Sequence, residues 1–125
     1  MMSWVAVGVG AAIGAWLRWG LSLWLNTMYN RIPLGTLVAN LGGGYVIGLI
    51  VAFFAAHLEI APEWRLFIIT GFLGGLTTFS TFSLESVVLL QRGEYAWALG
   101  HTALHLFGSI AFCIAGFATY RVISA

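Results

Sequence analysis

Four long runs of apolar residues, separated by short polar stretches, set the pattern of this chain. Each run can cross a bilayer as a helix, which needs about 20 mostly apolar residues. The predicted spans are residues 4–25, 33–57, 65–91 and 95–120. The connections, 26–32, 58–64 and 92–94, hold polar and turn-forming residues, and Pro33 and Pro62 lie near helix starts, where a missing N–H does no harm.

Connections this short join neighbouring helices that run in opposite directions. The pattern therefore predicts an all-α membrane protein, with four transmembrane helices per subunit in an up-down-up-down bundle and both termini on one side. Nothing along residues 1–125 marks a boundary, so we expect a single domain.

Composition supports the membrane assignment and excludes several classes of protein. Hydrophobic residues make up 61% of the 125 positions and charged residues only 7%, so the surface of the fold must face lipid. A net charge of +1 gives no indication of nucleic-acid binding. No cationic stretch precedes the first apolar run, which argues against a cleaved signal peptide. No phosphate loop, Ser/His/Asp set or CxxC motif supports an enzyme, and Cys113 is a packing residue.

The basic residues give no preferred orientation in the membrane. All five are arginines. Arg18 lies inside the first span, and the other four divide evenly between the predicted sides: Arg65 and Arg121 with the termini, Arg31 and Arg92 opposite. The positive-inside rule needs an imbalance to orient a chain. We therefore predict insertion in both orientations, which allows an antiparallel homodimer about a twofold axis in the membrane plane.

The third span contains the least helix-like stretch of the chain. Residues 71–83, GFLGGLTTFSTFS, contain three glycines, followed by five hydroxyl residues that are interleaved with Phe79 and Phe82. Glycines loosen a helix, and loosened backbone inside a bilayer is tolerated only where it is buried in protein or lines a polar cavity. This predicts a helix broken at mid-membrane, where ions are handled. A close helix contact between small residues is the alternative, which accounts for the glycines but poorly for the hydroxyl run.

Aromatic and hydroxyl groups in this stretch favour an anion over a cation. Phe79 and Phe82 are three apart and share a helix face, where core packing is the ordinary explanation. Ring edges carry partial positive charge, and hydroxyl and amide groups can donate hydrogen bonds. Cations prefer carbonyls and carboxylates instead.

Polar residues within the other spans are further candidates, because such residues are costly in lipid. Arg18 either extends to the interface or supplies a fixed positive charge that attracts anions. Asn40 either bonds to a neighbouring helix or binds an ion.

A second polar group has no assigned role. His101 and His105 lie four apart, in line with Ser109 and Cys113, which favours a polar stripe facing a pore or a partner helix. Paired histidines at this spacing can bind zinc, but no carboxylate accompanies them on their own helix. Glu85 is either a buried carboxyl bonded to a neighbour or a group for gating or proton linkage.

Three motifs, taken in order, resemble the CrcB/Fluc family of fluoride channels over essentially the whole chain. They are residues 14–18 (GAWLR), 33–44 (PLGTLVANLGGG) and 71–85 (GFLGGLTTFSTFSLE), the last being the most specific. Ala39 and Trp19 depart from the residues common in the family at those positions, and neither is an expected ligand.

The resemblance implies a dual-topology antiparallel homodimer with two fluoride pores, which exports fluoride passively from the cytoplasm of a bacterium across its inner membrane. The expected pore residues are Phe79, Phe82, Asn40, Ser80, Thr81 and Ser109, with Arg18 at the pore entrance. It also implies a structural, non-transported Na⁺ at the dimer centre, held by backbone carbonyls of Gly74 and Thr77 from both subunits.

Two other functions remain open on the sequence. A small dual-topology exporter that couples cationic compounds to protons would also have four spans, but it needs a carboxylate in its first helix, where this chain has Arg18 and no acid. A non-transporting membrane subunit would conduct no ions alone.

Overall fold

A computed structural model describes residues 2–28 and 31–125, and Tyr29 and Asn30 in the first predicted connection lie outside it. The described part is helical throughout and contains no strand. The helices are α1 (Met2–Leu25), α2 (Leu34–Ala56), α3 (Pro62–Arg65), a π-helix (Leu66–Leu73), α4 (Gly74–Leu76), α5 (Phe79–Gln91) and α6 (Tyr95–Ser124).

Four candidate membrane spans follow from these helices within the described residues: Met2–Leu25, Leu34–Ala56, Pro62–Gln91 and Tyr95–Ser124. They confirm the prediction of four spanning helices. The third span begins three residues earlier than expected, because Pro62 is the first helical residue of α3 and a proline tolerates that position. The fourth span continues to Ser124, beyond its predicted end at residue 120.

Glycines bring the spans together in two tight pairs. In the first pair, α1 lies against the third span, where a Cβ on Gly71 would stand 2.7 Å from the carbonyl oxygen of Val7. In the second pair, α2 lies against α6, where a Cβ on Gly44 would stand 3.0 Å from the carbonyl oxygen of Ser109. Such small-residue faces drive helix association in lipid, where apolar burial gives little preference.

The well-buried interior is small and the outer surface is apolar, as expected for a protein whose solvent is lipid. Ala39, Leu73 and Leu76 form the core cluster, where α2 meets the third span. Tryptophans dominate the exposed face of α1, with Trp16 at 67% and Trp19 at 63% exposure. These features support a multi-pass membrane protein.

One ion pair joins two connections at the same end of the bundle. Arg31 donates through Nε to Oε1 of Glu94 at 3.2 Å, and its guanidinium lies 5.2 Å from the Trp97 ring. Because these residues precede α2 and α6, those two helices begin side by side and run in the same direction, as an up-down-up-down order requires.

Candidate functional site

The helical backbone of the third span is interrupted at Thr77 and Thr78. Helical turns stop at Leu76 and resume at Phe79, and both threonines have extended backbones, with φ −86° and ψ 154° at Thr77 and φ −150° and ψ 121° at Thr78. The Thr78 hydroxyl then accepts from the Thr81 N–H at 3.1 Å, which caps the start of α5. A threonine fits this position because its hydroxyl replaces a missing helical acceptor.

Two backbone carbonyls before the interruption already have partners. The Leu73 oxygen accepts from the Thr77 N–H at 3.0 Å and from the Thr77 hydroxyl at 2.9 Å. The Gly75 oxygen accepts from Nε of Arg18 at 3.0 Å. Arg18 is half-buried. Its guanidinium lies at the carboxyl end of α4, where a cation complements the negative end of the helix dipole.

Two other carbonyls at the interruption lose their usual helical donors. In an uninterrupted α-helix, the Gly74 oxygen would accept from the Thr78 N–H, and the Thr77 oxygen from the Thr81 N–H. The Thr78 N–H donates instead to Oδ1 of Asn40 at 2.7 Å, and the Thr81 N–H donates to the Thr78 hydroxyl. Both carbonyls can therefore serve as oxygen ligands for a hard cation such as Na⁺.

A groove of about 430 Å³ runs along the interruption, between α2, the third span and α6. Six of the residues predicted for ion handling line it: Asn40, Gly74, Thr77, Phe79, Phe82 and Ser109. Three others are not among its lining residues: Arg18, Ser80 and Thr81. Backbone and side-chain polar groups thus meet in one largely apolar groove.

The two phenylalanines of α5 are close but differ in exposure. Their ring centroids are 5.5 Å apart at an interplanar angle of 62°, so the edge of one ring approaches the other. Phe79 is 79% exposed, whereas Phe82 is half-buried and lies 4.8 Å from the His105 ring. The exposed ring leaves this side of the groove open.

The predicted hydroxyl groups lie around the start of α5 and on α6. Ser80 is exposed, and its Oγ is 3.3 Å from the Thr78 hydroxyl. Thr81 and Ser109 are half-buried, and Ser109 lies where α6 passes closest to Gly44 of α2. Only Ser109 of these three reaches the groove.

A buried polar cluster lies beside Phe82. The Thr36 hydroxyl donates to Oε2 of Glu85 at 2.6 Å, and Oε1 of Glu85 is 3.4 Å from Nε2 of His101. Potential ligand atoms of Glu85, His101 and His105 all lie within 4.8 Å of one another. Within the described residues, Glu85 Oε1, both His101 ring nitrogens and His105 Nε2 are buried without a hydrogen-bond partner.

Sequence reasoning missed how this cluster is assembled. The sequence shows no carboxylate on the helix that holds the two histidines. In the structure the carboxylate is Glu85 of α5, and it is bonded to Thr36 of α2. A signal was present, since polar residues at several span interiors are expected to meet one another. Their pairing depends on helix rotation, which the sequence alone does not give.

Comparison with known proteins places the chain in a family. Residues 5–117 match the family described as "CrcB-like protein, Camphor Resistance (CrcB)". A protein of Pseudomonas putida (strain W619), named "Fluoride-specific ion channel FluC", is 57% identical over 99% of this chain and 98% of its own length. One of the same name from Cupriavidus pinatubonensis is 58% identical over 98% of both chains. Another, from Marinobacter nauticus, is 54% identical over 95% of this chain and 94% of its own.

The match covers most of the chain and includes the greater part of every span, the interruption at Thr77 and Thr78, and the residues that line the groove. This chain therefore belongs to the CrcB family.

Proposed function

We propose that this protein is a fluoride-selective ion channel of the bacterial inner membrane, through which fluoride leaves the cytoplasm down its electrochemical gradient. The observation that carries the proposal is the near-full-length similarity, at 54–58% identity, to proteins named as fluoride-specific channels. Members of a channel family are not enzymes, and transport through this chain requires no covalent chemistry.

The groove supplies suitable chemistry for a small anion. The proposed pore residues are Phe79, Phe82, Asn40, Ser80, Thr81 and Ser109. The edges of Phe79 and Phe82 offer partial positive charge without a full charge, and nearby hydroxyls can replace part of the hydration shell. Arg18 keeps its positive charge while bonded to a carbonyl, so it can still attract anions towards the pore entrance.

The interruption of the third span gives these groups access to the bilayer interior. Thr77 and Thr78 are the sixteenth and seventeenth of the 30 residues from Pro62 to Gln91, which supports a break at mid-membrane. Non-helical backbone at that depth is stable where protein or a polar cavity surrounds it. In this proposal the break exists to bring polar atoms to an ion.

A second, oppositely oriented copy completes the site. Gly74 and Phe79 are exposed beside the groove, and the arginines are balanced between the two ends of the bundle. An impermeant thiol reagent tests dual insertion, using a cysteine introduced at Ala125 in a Cys113→Ser background. Labelling from both faces of the membrane is expected, and labelling from one face alone contradicts the antiparallel dimer.

A structural Na⁺ at the dimer centre would be held by the carbonyls of Gly74 and Thr77 from both subunits. The diversion of their helical donors to Asn40 and Thr78 supports this, since free carbonyl dipoles suit a hard cation. The ion would neutralise the converging carbonyls and would not be transported. Dimer melting temperature should rise when Na⁺ replaces N-methylglucamine, and equal melting in both would remove the ion from the account.

The direction of transport follows from electrostatics. Fluoride that enters cells as neutral HF ionises in the near-neutral cytoplasm, and an inside-negative potential contributes about 2.3 kcal/mol per charge for each 100 mV. Passive exit therefore needs no pump.

Liposome efflux tests the function against its rivals. Vesicles containing purified protein are loaded with fluoride or with chloride, and release is followed with ion-selective electrodes. The proposal predicts fast fluoride release and negligible chloride release. Proton-dependent exchange of organic cations would instead identify the exporter, and no flux at all would favour a non-transporting subunit.

A further inference from the structure

Both polar atoms of the Asn40 side chain on α2 are hydrogen-bonded at the interruption. Its Oδ1 accepts from the Thr78 N–H at 2.7 Å, and its Nδ2 donates to the Thr78 carbonyl at 3.0 Å. The same Nδ2 lies 3.1 Å from Nδ1 of His105 on α6. One amide thus connects the broken backbone of the third span to the histidine of the last.

These contacts determine where the protons are. A backbone N–H can only donate, so the Asn40 atom facing the Thr78 N–H is the oxygen, and the amide cannot be flipped. The opposite atom is therefore the NH₂ group, which has two hydrogens and no acceptor capacity. Its contact with Nδ1 of His105 is favourable only if that nitrogen accepts, so Nδ1 has no proton.

The ring of His105 is consequently neutral, with its one hydrogen on Nε2. That N–H is buried without a partner in the described residues, and one ring nitrogen of His105 lies within 4.8 Å of ligand atoms of Glu85 and His101. Glu85 and His101 are the titratable groups that face it. A second proton on the ring, at Nδ1, would direct an N–H at the Asn40 NH₂ group.

The same reasoning argues against a metal at this cluster, although two imidazoles and a carboxylate resemble a zinc ligand set. A histidine that binds a metal through Nε2 normally keeps its hydrogen on Nδ1 and donates it to an acceptor. At His105 that hydrogen would meet the Asn40 NH₂ group, which has no acceptor capacity. The cluster therefore presents a fixed N–H donor and lacks a third ligand.

We infer that Asn40 is a positioning residue, which holds His105 as its neutral Nε2–H tautomer. The histidine that lines the groove beside Phe82 is therefore uncharged. The consequence for transport rests on the proposed function. A charged imidazolium next to a dehydrated anion would bind it strongly in this low-dielectric setting, whereas a neutral donor allows release.

Nitrogen NMR of the whole protein tests the inference directly. The chain has three histidines, so ¹⁵N-histidine labelling in detergent gives three rings, which His57→Gln, His101→Gln and His105→Gln assign. Long-range ¹H–¹⁵N correlation at neutral pH should show His105 with an unprotonated Nδ1 and a protonated Nε2. A protonated Nδ1, in either the other tautomer or the imidazolium, overturns the inference.

Asn40→Asp supplies a change that a merely structural role would not produce. A carboxylate still accepts from the Thr78 N–H but must also accept from His105, so the His105 proton should move to Nδ1. Asn26→Asp is the matched control, because Oδ1 of Asn26 also accepts from two backbone N–H groups, those of Gly35 and Thr36. An unchanged His105 tautomer in Asn40→Asp would contradict the inference.

Two further measurements complete the test, and the first of them needs neither a variant nor transport. Titration of the unmodified protein with Co²⁺ should give no visible ligand-field band, and a band saturating at one ion per subunit would overturn the donor assignment.

In liposomes, fluoride release through Asn40→Asp should be at least tenfold slower, and unchanged release despite a switched tautomer would refute the consequence for transport. If the unmodified protein has the expected NMR signature but conducts no fluoride, the proposed function fails and the tautomer assignment stands.

Discussion

Replacement of Gly71 by alanine tests how closely the first and third spans must approach. The added Cβ would stand 2.7 Å from the Val7 carbonyl oxygen and 3.1 Å from the Gly10 Cα, whereas ordinary contact begins at 3.4 Å. Both neighbours are backbone atoms, which cannot rotate away, so the helices must separate by about 0.7 Å at this point. Overpacking of this kind costs about 1–3 kcal/mol. The separation would also weaken the bond from Arg18 to Gly75.

Unfolding in mixed detergent and sodium dodecyl sulfate measures that cost. Gly8→Ala is the matched control, because Gly8 lies on α1 beside the same interface and its added Cβ would meet nothing within 4 Å. The control should be as stable as the unmodified protein or slightly more so, since alanine favours a helix by up to about 1 kcal/mol over glycine. Equal stability of Gly71→Ala and Gly8→Ala would show that the backbone contact is not tight.

Two further predictions concern the interruption and the groove beside it. Phe79→Ile and Phe82→Ile should each cut fluoride release from liposomes by at least tenfold, because an aliphatic side chain has no positive ring edge. Both variants should keep the elution volume of the unmodified protein on size-exclusion chromatography. Normal release in both variants would exclude the rings from the pathway. Thr78→Val removes the hydroxyl that accepts from the Thr81 N–H, and it should lower the free energy of unfolding by about 1 kcal/mol. Thr78→Ser keeps the hydroxyl and should cause no such loss. Equal losses in the two variants would count against the cap.

The membrane spans were predictable because they depend on local composition. Each span must supply about 20 apolar residues, and prolines and polar residues punctuate the chain between them. The span limits therefore differ from prediction by a few residues only. The unusual stretch around Thr77 was also recognisable, because glycines and hydroxyl residues seldom occur together within an apolar run.

Other features depend on how the helices are rotated against each other, which cannot be predicted from local sequence patterns. The Asn40–Thr78 bonds join residues 38 positions apart, and the Thr36–Glu85 bond joins residues 49 apart. Arg18 was expected at a pore entrance, and its bond to the Gly75 carbonyl, 57 positions away, was not foreseen.

The π-helix over Leu66–Leu73 also had no sequence signal. Its hydrogen bonds are displaced by one residue from those of an α-helix, and apolar side chains are compatible with both forms. Such segments are frequent at functional sites, and this one leads directly into the glycines that precede the interruption.

The central claim is that the interrupted third span forms a passive, fluoride-selective path, and the reversal potential of the purified protein in a planar bilayer tests it most directly. A tenfold fluoride gradient is set across the bilayer, with chloride equal on both sides. The account predicts current that reverses at the fluoride equilibrium potential, about 59 mV from zero. Current that reverses at zero, or no current through correctly folded protein, would contradict it.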